Sequence, residues 1–559
     1  MDSFWTGTVA DVRGSWVRPA SVRGLFAVPL MVAIVLGITS VGAAPVLAHS
    51  VPSAAAGPPG TGLAWGLNNV GQLGDGTTTD SSTPVAVGVP AGTTVTAVAA
   101  GEFHSVAVTS TGTVLAWGYN DVGQLGDGST TSSSTPVAVD VPAGTTVTAV
   151  AAGDRHSLAV TSTGTVLAWG ANTDGQLGDG TTTNSSTPVA VDVPAGTTVT
   201  AVAAGGAHSV AVTSAGTVLA WGNNNFGQLG DGTTTDSSTP VAVDLPAGTT
   251  VTAVAAGKFH SVAVTSAGTV LAWGFNDSGQ LGDGTTTNRS TPVAVDLPAG
   301  TTVTAVAAGS FHSVAVTSAG TVLAWGFNDS GQLGDGTTTN RSTPVAVDLP
   351  AGTTVTAVAA GGFHSVAVTS AGTVLAWGFN NFGQLGDGTT TDSSTPVAVD
   401  LPAGTTVTAL AAGELHSLAV VPSTSTTTLQ VTPPNPTPDQ PVTLTATVTC
   451  TASTPTGTVT FLDGTKTLGT EPLPASPTAT LTVTRLTPGT HHIHARYNGD
   501  NNCPTSTSNP TTVTVPKPTI PVTGTSLPTI LTTGILLTLI GAALTLATHR
   551  RRPAHHTIR

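Results

Sequence analysis

A tryptophan recurs seven times at one fixed interval in this chain of 559 residues. The interval is 52 residues in every case, and seven histidines keep the same step. The two sets are Trp65, Trp117, Trp169, Trp221, Trp273, Trp325 and Trp377, and His104, His156, His208, His260, His312, His364 and His416. A fixed period of this size, with four short β-type runs per unit, is typical of a closed array of sheets. We therefore expect an all-β body.

Each unit contains four apolar runs, which we name strands A to D from the centre outward. They read VTAVAAG, HSVAVTS, TVLAWG and TPVAVD, with turn residues between them, as at 110–113 and 142–144. The chain enters the array at strand C, residues 63–66, and leaves after strand B, residues 416–420. The prediction is a seven-bladed β-propeller over residues 62–420, whose closing blade takes two strands from each end and so leaves no free sheet edge.

The repeated motifs are similar to those of the regulator of chromosome condensation repeat family. WGYN at 117–120, GQLG at 123–126 and AGDRHSL at 152–158 carry the resemblance, which extends over residues 62–420. The resemblance implies the propeller fold of that family. It does not decide function, because the eukaryotic founder exchanges nucleotide on the GTPase Ran and docks on chromatin, whereas a secreted actinobacterial member inhibits β-lactamases.

The seven units differ mainly in two places: the pair of residues before each histidine and the stretch after each Trp-Gly. These are the A–B and C–D connections, which lie at one end of an antiparallel blade. We call this end the variable face, and the end with the invariant B–C and D–A turns the uniform face. Aromatic residues gather at the variable face, as in binding surfaces. The candidate ligand-binding residues are Tyr119, Asn223, Phe275, Phe327, Phe379, Phe226, Phe382, Phe103, Arg155, Phe259, Phe311 and Phe363.

These aromatics divide into two sets with different expected roles. The residue before the histidine is often aromatic in the family, so Phe103, Phe259, Phe311 and Phe363 are expected to pack against neighbouring blades. Exposure is expected for the aromatics that follow Trp-Gly, which are Tyr119, Phe275, Phe327 and Phe379.

The repeated polar residues are interpreted as structural, because catalysis needs one distinctive constellation whereas every unit carries the same residues. The histidines are expected to hydrogen-bond backbone at the A–B turn, and Asp127 with its equivalents to cap a turn. A calcium role for these aspartates is the alternative. No catalytic residue, metal site or cofactor is expected.

Residues 426–515 are Thr-rich and alternate in polarity, as in a β-sandwich. GTVTFLDG at 457–464 and YNGD at 497–500 resemble bacterial Ig-like repeats of surface proteins. Cys450 and Cys503, the two cysteines of the chain, both lie in this region on the expected exported side, so a disulfide is predicted. His492 and His494 share a strand face, where a solvated polar surface is favoured over a metal site.

The two ends of the chain indicate export and anchoring. Residues 1–48 are interpreted as a signal peptide, with a stable N-terminal membrane anchor as the alternative, and 49–61 as a short linker. Residues 516–525 form a Pro/Thr linker, 526–548 a transmembrane segment and 549–559 a basic cytoplasmic tail. IPVTG at 520–524 resembles the LPxTG sorting signal of Gram-positive surface proteins. That resemblance implies sortase cleavage between Thr523 and Gly524 and attachment to peptidoglycan; a plain membrane anchor is the alternative, with the same topology.

The charge balance restricts the function. The propeller has four basic residues, Arg155, Lys258, Arg289 and Arg341, against 23 acidic ones, which opposes binding to nucleic acid. No nucleophile-base pair or cofactor motif stands out, so we expect no enzyme. The favoured hypothesis is an anchored surface protein that binds an extracellular protein or polysaccharide. The alternatives are an inhibitor or decoy of a secreted enzyme, a structural coat, and, least favoured, the nucleotide exchange of the family's founder.

Overall fold

The computed structural model describes residues 60–451, 454–474, 476–500 and 502–519. The expected signal peptide, membrane segment, basic tail and the sorting residues Thr523 and Gly524 lie outside these ranges. Within them, every helix or strand element is a β-strand. No helix in this described part is long and apolar enough to cross a membrane.

The repeat region contains 28 strands. They are β1 (Gly60–Gly66), β2 (Ser81–Ala86), β3 (Val95–Ala100), β4 (His104–Thr109), β5 (Val114–Gly118), β6 (Ser133–Ala138), β7 (Val147–Ala152), β8 (His156–Thr161), β9 (Val166–Gly170), β10 (Ser185–Ala190), β11 (Val199–Ala204), β12 (His208–Thr213), β13 (Val218–Gly222), β14 (Ser237–Ala242), β15 (Val251–Ala256), β16 (His260–Thr265), β17 (Val270–Gly274), β18 (Arg289–Ala294), β19 (Val303–Ala308), β20 (His312–Thr317), β21 (Val322–Gly326), β22 (Arg341–Ala346), β23 (Val355–Ala360), β24 (His364–Thr369), β25 (Val374–Gly378), β26 (Ser393–Ala398), β27 (Ala409–Ala412) and β28 (His416–Pro422).

These strands form repeated antiparallel four-stranded sheets. Five sheets follow chain order A-B-C-D: β7 to β10, β11 to β14, β15 to β18, β19 to β22 and β23 to β26. The remaining sheet has two four-stranded groups, β27-β28-β1-β2 and β3 to β6, which are linked only by the pair Gly60 and Val95. Strands β28 and β1 pair from Gly66↔His416 to Gly60↔Pro422, so the two ends of the repeat region share one group. The strand order in the sequence predicts this pairing.

The A strands line the centre of the ring. Each of β3, β7, β11, β15, β19 and β23 contacts the next A strand, and β27 contacts β3, which closes the circle. The hydrophobic core lies between successive sheets and is made of Val, Ala, Leu and one Trp per unit. Burial of these apolar strands is the main favourable term in folding.

Neighbouring sheets are joined at the tryptophan. The indole of Trp169 is fully buried, and its Nε1 donates a hydrogen bond of 3.0 Å to the carbonyl oxygen of Gln124 in the preceding unit. Gly126, two residues later, has a φ of 70° and lies flat against the same ring. A Cβ atom at Gly126 would stand 2.7 Å from Trp169 Cδ1, so the GQLG motif requires glycine here.

The second domain contains eight strands in two sheets. They are β29 (Ser425–Thr432), β30 (Val442–Cys450), β31 (Thr458–Asp463), β32 (Lys466–Pro472), β33 (Thr478–Val483), β34 (Gly489–Tyr497), β35 (Ser506–Thr507) and β36 (Thr511–Val515). Sheet β29-β30-β33 packs on the sheet of β32-β31-β34 with β35 and β36 through one core that includes Phe461 and Tyr497. Cys450 and Cys503 form a disulfide with their Cα atoms 5.9 Å apart.

The Ig-like domain lies against the uniform face. The side-chain amide of Asn502 donates 2.7 Å to the carbonyl oxygen of Gly92, and its Oδ1 accepts from the hydroxyl of Thr94 at 2.9 Å. Ser110, in a B–C turn, donates to the same oxygen at 3.3 Å. The domain therefore contacts the end of the propeller opposite the variable face.

Candidate functional site

The A–B loops form the inner rim of the variable face. The residue after each A-strand glycine occupies one equivalent position, and we call these seven positions the inner ring. Its members are Glu102, Asp154, Gly206, Lys258, Ser310, Gly362 and Glu414. Backbone hydrogen bonds of 3.2 to 3.3 Å link neighbouring loops here, for example from the amide of Glu102 to the carbonyl oxygen of Gly153. These bonds join the first four loops in sequence to one another and the last two to each other.

The seven repeated histidines form a closed circuit between sheets. Each Nε2 lies 2.9 to 3.0 Å from the hydroxyl of the serine one unit ahead, and His416 reaches Ser105 in the first unit. The same serine hydroxyls donate to glutamine carbonyl oxygens, as Ser157 does to Gln124. Because a hydroxyl has one hydrogen, the histidine Nε2–H is the donor to serine. The expected bond to backbone is therefore wrong: the histidines hold adjacent sheets together through serine side chains.

This circuit fixes the histidines in the neutral form. All seven are fully buried, and burial lowers the pKa of each to about 3. Their Nδ1 atoms have no hydrogen-bond partner within the described residues. A second proton would place an unpaired donor in the core. The histidines are consequently unsuited to acid-base chemistry near neutral pH.

The C–D loops are organised by the repeated Asn and Asp. Asn120 Oδ1 accepts from the amide of Leu125 at 2.9 Å, and Asp127 Oδ1 accepts from the amide of Ser129 at 3.0 Å. Asp127 and its equivalents thus cap turns, as expected. Within the described residues, no group of three His, Cys, Asp or Glu side chains is placed to hold a metal ion.

Eight phenylalanines of the variable face form one continuous row, which we call the aromatic arc. Neighbouring rings have centroids 4.8 to 6.3 Å apart, mostly in edge-to-face geometry. The arc consists of Phe226, Phe259, Phe275, Phe311, Phe327, Phe363, Phe379 and Phe382. The structure therefore brings most of the predicted aromatic residues into contact.

The predicted exposure of the aromatics that follow Trp-Gly is wrong, whereas the predicted packing is found for Phe259, Phe311 and Phe363, whose rings contact rings of neighbouring units. Both sets have the same half-buried accessibility, since Phe259 and Phe311 alternate along the arc with Phe275 and Phe327. Each ring covers part of the next and leaves part of itself to solvent. The arc is thus a partly exposed apolar surface of the kind that marks binding sites.

The other predicted residues lie outside the arc. Tyr119 is half-buried, with the Arg155 guanidinium 5.8 Å from its ring centroid, and Arg155 also forms an ion pair with Asp121. Asn223 is only 8% exposed, and its amide is used internally, donating to Asp174 at 3.1 Å. Asn223 is therefore removed from the set of surface residues. Phe103 is half-buried and is separated from the arc in the ring contacts.

A pocket of about 390 Å³ opens at one end of the arc. Its walls come from four successive units and are mainly phenylalanine. The lining is Phe103, Phe327, Asp329, Ser330, Phe363, Phe379, Phe382, Glu414 and Leu415. We call it the aromatic pocket. It joins Phe103 to the end of the arc.

Charges in the inner ring were missed by the sequence reasoning, which selected aromatic residues. Lys258 is 6% exposed and Glu414 is 2% exposed. Burial raises the pKa of Glu102 to about 7, although Lys258 and Arg155 oppose the rise. Burial also raises the pKa of Glu414 well above its usual range and lowers that of Lys258, whose ammonium is favoured by Asp154, Glu414 and Glu102. The sequence could have indicated this charged ring, since four of its seven equivalent positions carry ionisable residues.

Repeated four-stranded sheets in a closed ring, followed by an Ig-like sandwich, define a propeller whose variable face carries an aromatic surface. Residues 49–424 match the RCC1-like domain family, and residues 427–516 match the group 3 bacterial Ig-like domains. The chain belongs to the RCC1-like domain family. Its propeller relatives indicate a binding or regulatory propeller.

Relatives with similar propellers occur in proteins of different size. The ultraviolet-B receptor UVR8 of Arabidopsis thaliana is 35% identical over 337 residues, which is 60% of this chain and 77% of the receptor. The E3 ubiquitin-protein ligase HERC2 of Homo sapiens is 37% identical over 368 residues, 65% of this chain but 8% of the ligase. A chain in the crystal structure of Kap60 bound to yeast RCC1 (Prp20) superposes with a TM-score of 0.59 at 25% identity, covering 66% of this chain and 89% of that one.

Proposed function

We propose that the repeat region is a seven-bladed propeller that acts as a non-catalytic binding module, with the aromatic arc as its contact surface for a protein partner. The observation that carries this proposal is the arc itself: eight half-buried phenylalanines in an unbroken row on the one face where the units differ. Partly exposed aromatic rings supply much of the binding energy in protein interfaces.

The partner is proposed to be extracellular. The expected signal peptide and anchor support display at the cell surface. The contact of Asn502 with the uniform face supports a variable face turned away from the Ig-like domain. The related Saccharomyces cerevisiae protein Prp20p, 26% identical over a similar propeller, is described by its binding to Gsp1p and histones, which supports a protein partner over a polysaccharide. The small number of basic residues in the propeller argues against binding to nucleic acid.

The test is retention of a partner by the immobilised full chain. Extracellular matrix proteins, cell-wall polysaccharides and secreted hydrolases are offered to the wild type and to a variant with Phe275→Ser, Phe327→Ser and Phe379→Ser. Retention by the wild type and its loss in the variant are expected, because each substitution removes a large apolar contact. Equal retention by both proteins contradicts the role of the arc.

The matched control alters the uniform face instead. Ala299, Ala351 and Ala403 are exposed residues of the D–A turns, and their change to Ser leaves the arc intact. Retention by this control is expected to equal that of the wild type. Inhibition of a retained hydrolase would assign the module to the alternative class of enzyme inhibitors.

A further inference from the structure

Glu414 is an unusual member of the inner ring. It is 2% exposed, and neither of its carboxylate oxygens has a hydrogen-bond partner within the described residues. Leaving a carboxyl group buried without a hydrogen-bond partner costs free energy, so such groups are rare unless something binds them. The carboxylate is therefore a candidate ligand group rather than a packing element.

Space around this carboxylate depends on Gly362 in the neighbouring loop. A Cβ atom at Gly362 would lie 3.1 Å from Glu414 Oε1 and 2.9 Å from the carbonyl oxygen of the same residue. The preceding unit has Ser310 at the equivalent position, and this is the one difference between the two units over their 52 residues. Glycine at 362, as at 206, places no side chain beside the next residue of the inner ring, which here is the buried Glu414.

The aromatic pocket adjoins the same residue. Glu414 is part of its lining, as is Phe363, the residue next to Gly362. At the equivalent place beside Phe226, three rings pack together, because the centroids of Phe259 and Phe275 lie 5.3 and 4.8 Å from that of Phe226.

Two leucines explain why the pocket stays open. Phe382 corresponds to Phe226 in the repeat, but the residues that correspond to Phe259 and Phe275 are Leu415 and Leu67. Leu67 is buried, and its amide donates to the carbonyl oxygen of Leu415 at 2.8 Å. Two rings are therefore missing beside Phe382, and the remaining rings enclose a cavity with an acidic residue in its lining.

The charges nearby favour a cation over an anion. Three acidic groups, Glu414, Asp154 and Glu102, interact here with the single ammonium of Lys258, so negative charge is in excess. Asp329 adds an exposed carboxylate to the lining. Lys258 also shows that the aromatic arc accepts an ammonium group, because its Nζ lies 5.2 Å from the centroid of the Phe259 ring. Aromatic faces attract ammonium and guanidinium groups at this range.

We propose that the aromatic pocket binds a basic side chain, lysine or arginine, of the partner protein, with Glu414 as its counter-ion and the surrounding phenylalanine rings as its walls. The inference rests on the proposed function, since the basic side chain belongs to the protein that contacts the arc. Burial and the neighbouring Asp154 and Glu102 favour the protonated form of Glu414, so a bound cation would release a proton and bind more tightly as pH rises.

The test uses small probes rather than the unidentified partner. Nα-acetyl-lysine methylamide, Nα-acetyl-arginine methylamide and the uncharged Nα-acetyl-norleucine methylamide are titrated against the full chain by ligand-observed NMR. The basic probes are expected to bind at least roughly tenfold more tightly than the norleucine probe. Equal binding of all three would overturn the proposal, because it would show an apolar pocket without charge selection.

Variants assign the binding to Glu414. Glu414→Gln, which preserves size, and Gly362→Ser, which copies the neighbouring unit, are each expected to weaken lysine-probe binding by roughly tenfold. The reciprocal Ser310→Gly, and Ala299→Ser on the uniform face, are controls that should leave it unchanged. Unaltered binding in folded Glu414→Gln protein, verified by the circular dichroism of its strands, would overturn the proposal.

The outcome is independent of the retention test. Probe binding is measured on the chain without any partner, so a failed cation titration with intact, arc-dependent retention removes only the role of Glu414. If retention is independent of the arc while probe binding depends on Glu414, the proposed function fails and the cation pocket stands.

Discussion

Lowering the pH from about 7.5 to about 5 is expected to destabilise the propeller strongly, because seven buried histidines must stay neutral in the folded chain. Burial holds the pKa of each at about 3, against the ordinary histidine pKa of 6.5. At a pH above the pKa of the histidines in the unfolded chain, the histidines are neutral in both states, and the free energy of unfolding does not change. Below it, the unfolded chain binds protons that the folded chain cannot, so stability falls until the folded pKa is reached.

The magnitude follows from the size of each pKa shift. At about pH 5 each unfolded histidine lies about 1.5 units below its pKa, which is roughly 2 kcal/mol per residue and roughly 14 kcal/mol for the ring. Glu102 acts in the opposite direction, because its pKa is raised to about 7 and its contribution appears as pH falls, by roughly 2 kcal/mol. Glu414 shares that sign. A net loss on the order of 10 kcal/mol equals the whole stability of many domains.

Urea unfolding monitored by tryptophan fluorescence measures this loss, because the seven repeat tryptophans are buried. Potentiometric titration of the unfolding step is a second measure, and about five to seven protons should be taken up near pH 5. The double variant Glu102→Gln and Glu414→Gln is the matched control, and its loss should be larger because the opposing carboxyls are gone. A loss below about 3 kcal/mol with fewer than about two protons taken up would refute the reasoning.

Three further predictions concern contacts between units and domains. Ser157→Ala should lower the free energy of unfolding in urea by about 1 to 3 kcal/mol, because the buried Nε2–H of His104 loses its acceptor; an unchanged midpoint would contradict the circuit. Replacing both Cys450 and Cys503 by Ala should cost the Ig-like domain about 4 kcal/mol on a loop-entropy estimate for a separation of 53 residues, seen by calorimetry as a lower transition for that domain alone. Asn502→Ala should increase the radius of gyration in X-ray scattering, because the Ig-like domain loses its hydrogen bonds to the uniform face; an unaltered profile would show that other contacts hold it.

The repeat made the architecture predictable from sequence. Strand order follows from the position of the runs: the chain begins at a C strand and the repeat region ends at a B strand, so Gly66 and His416 had to become neighbours. Strand bounds were less accurate. The D strand was expected over TPVAVD, but β6 begins two residues earlier, at Ser133, and ends at Ala138. Its last two predicted residues instead enter the turn that leads to the next A strand.

Side-chain roles were harder to predict than strands. A histidine at every 52nd residue gives no indication of its partner, because the serine that accepts from His104 is 53 residues away in the next unit. Likewise, the accessibility of Phe259 and Phe275 depends on rings from adjacent loops and not on their own position in the repeat. Contacts between units are set by the closed ring, and a single unit does not contain them.

Near-identity of the units is what makes the remaining differences informative. A ring of equal units would present the same surface in every sector, so a site must arise where copies depart from the pattern. The departures at Leu415 and Leu67 belong to the unit that joins the two ends of the repeat region, and Phe382 lies beside that unit. That unit takes its A–B loop from one end and its C–D loop from the other. Its Leu415 and Leu67 stand where the rings of Phe259 and Phe275 pack beside Phe226, and this replacement gives a physical reason for the aromatic pocket to lie there.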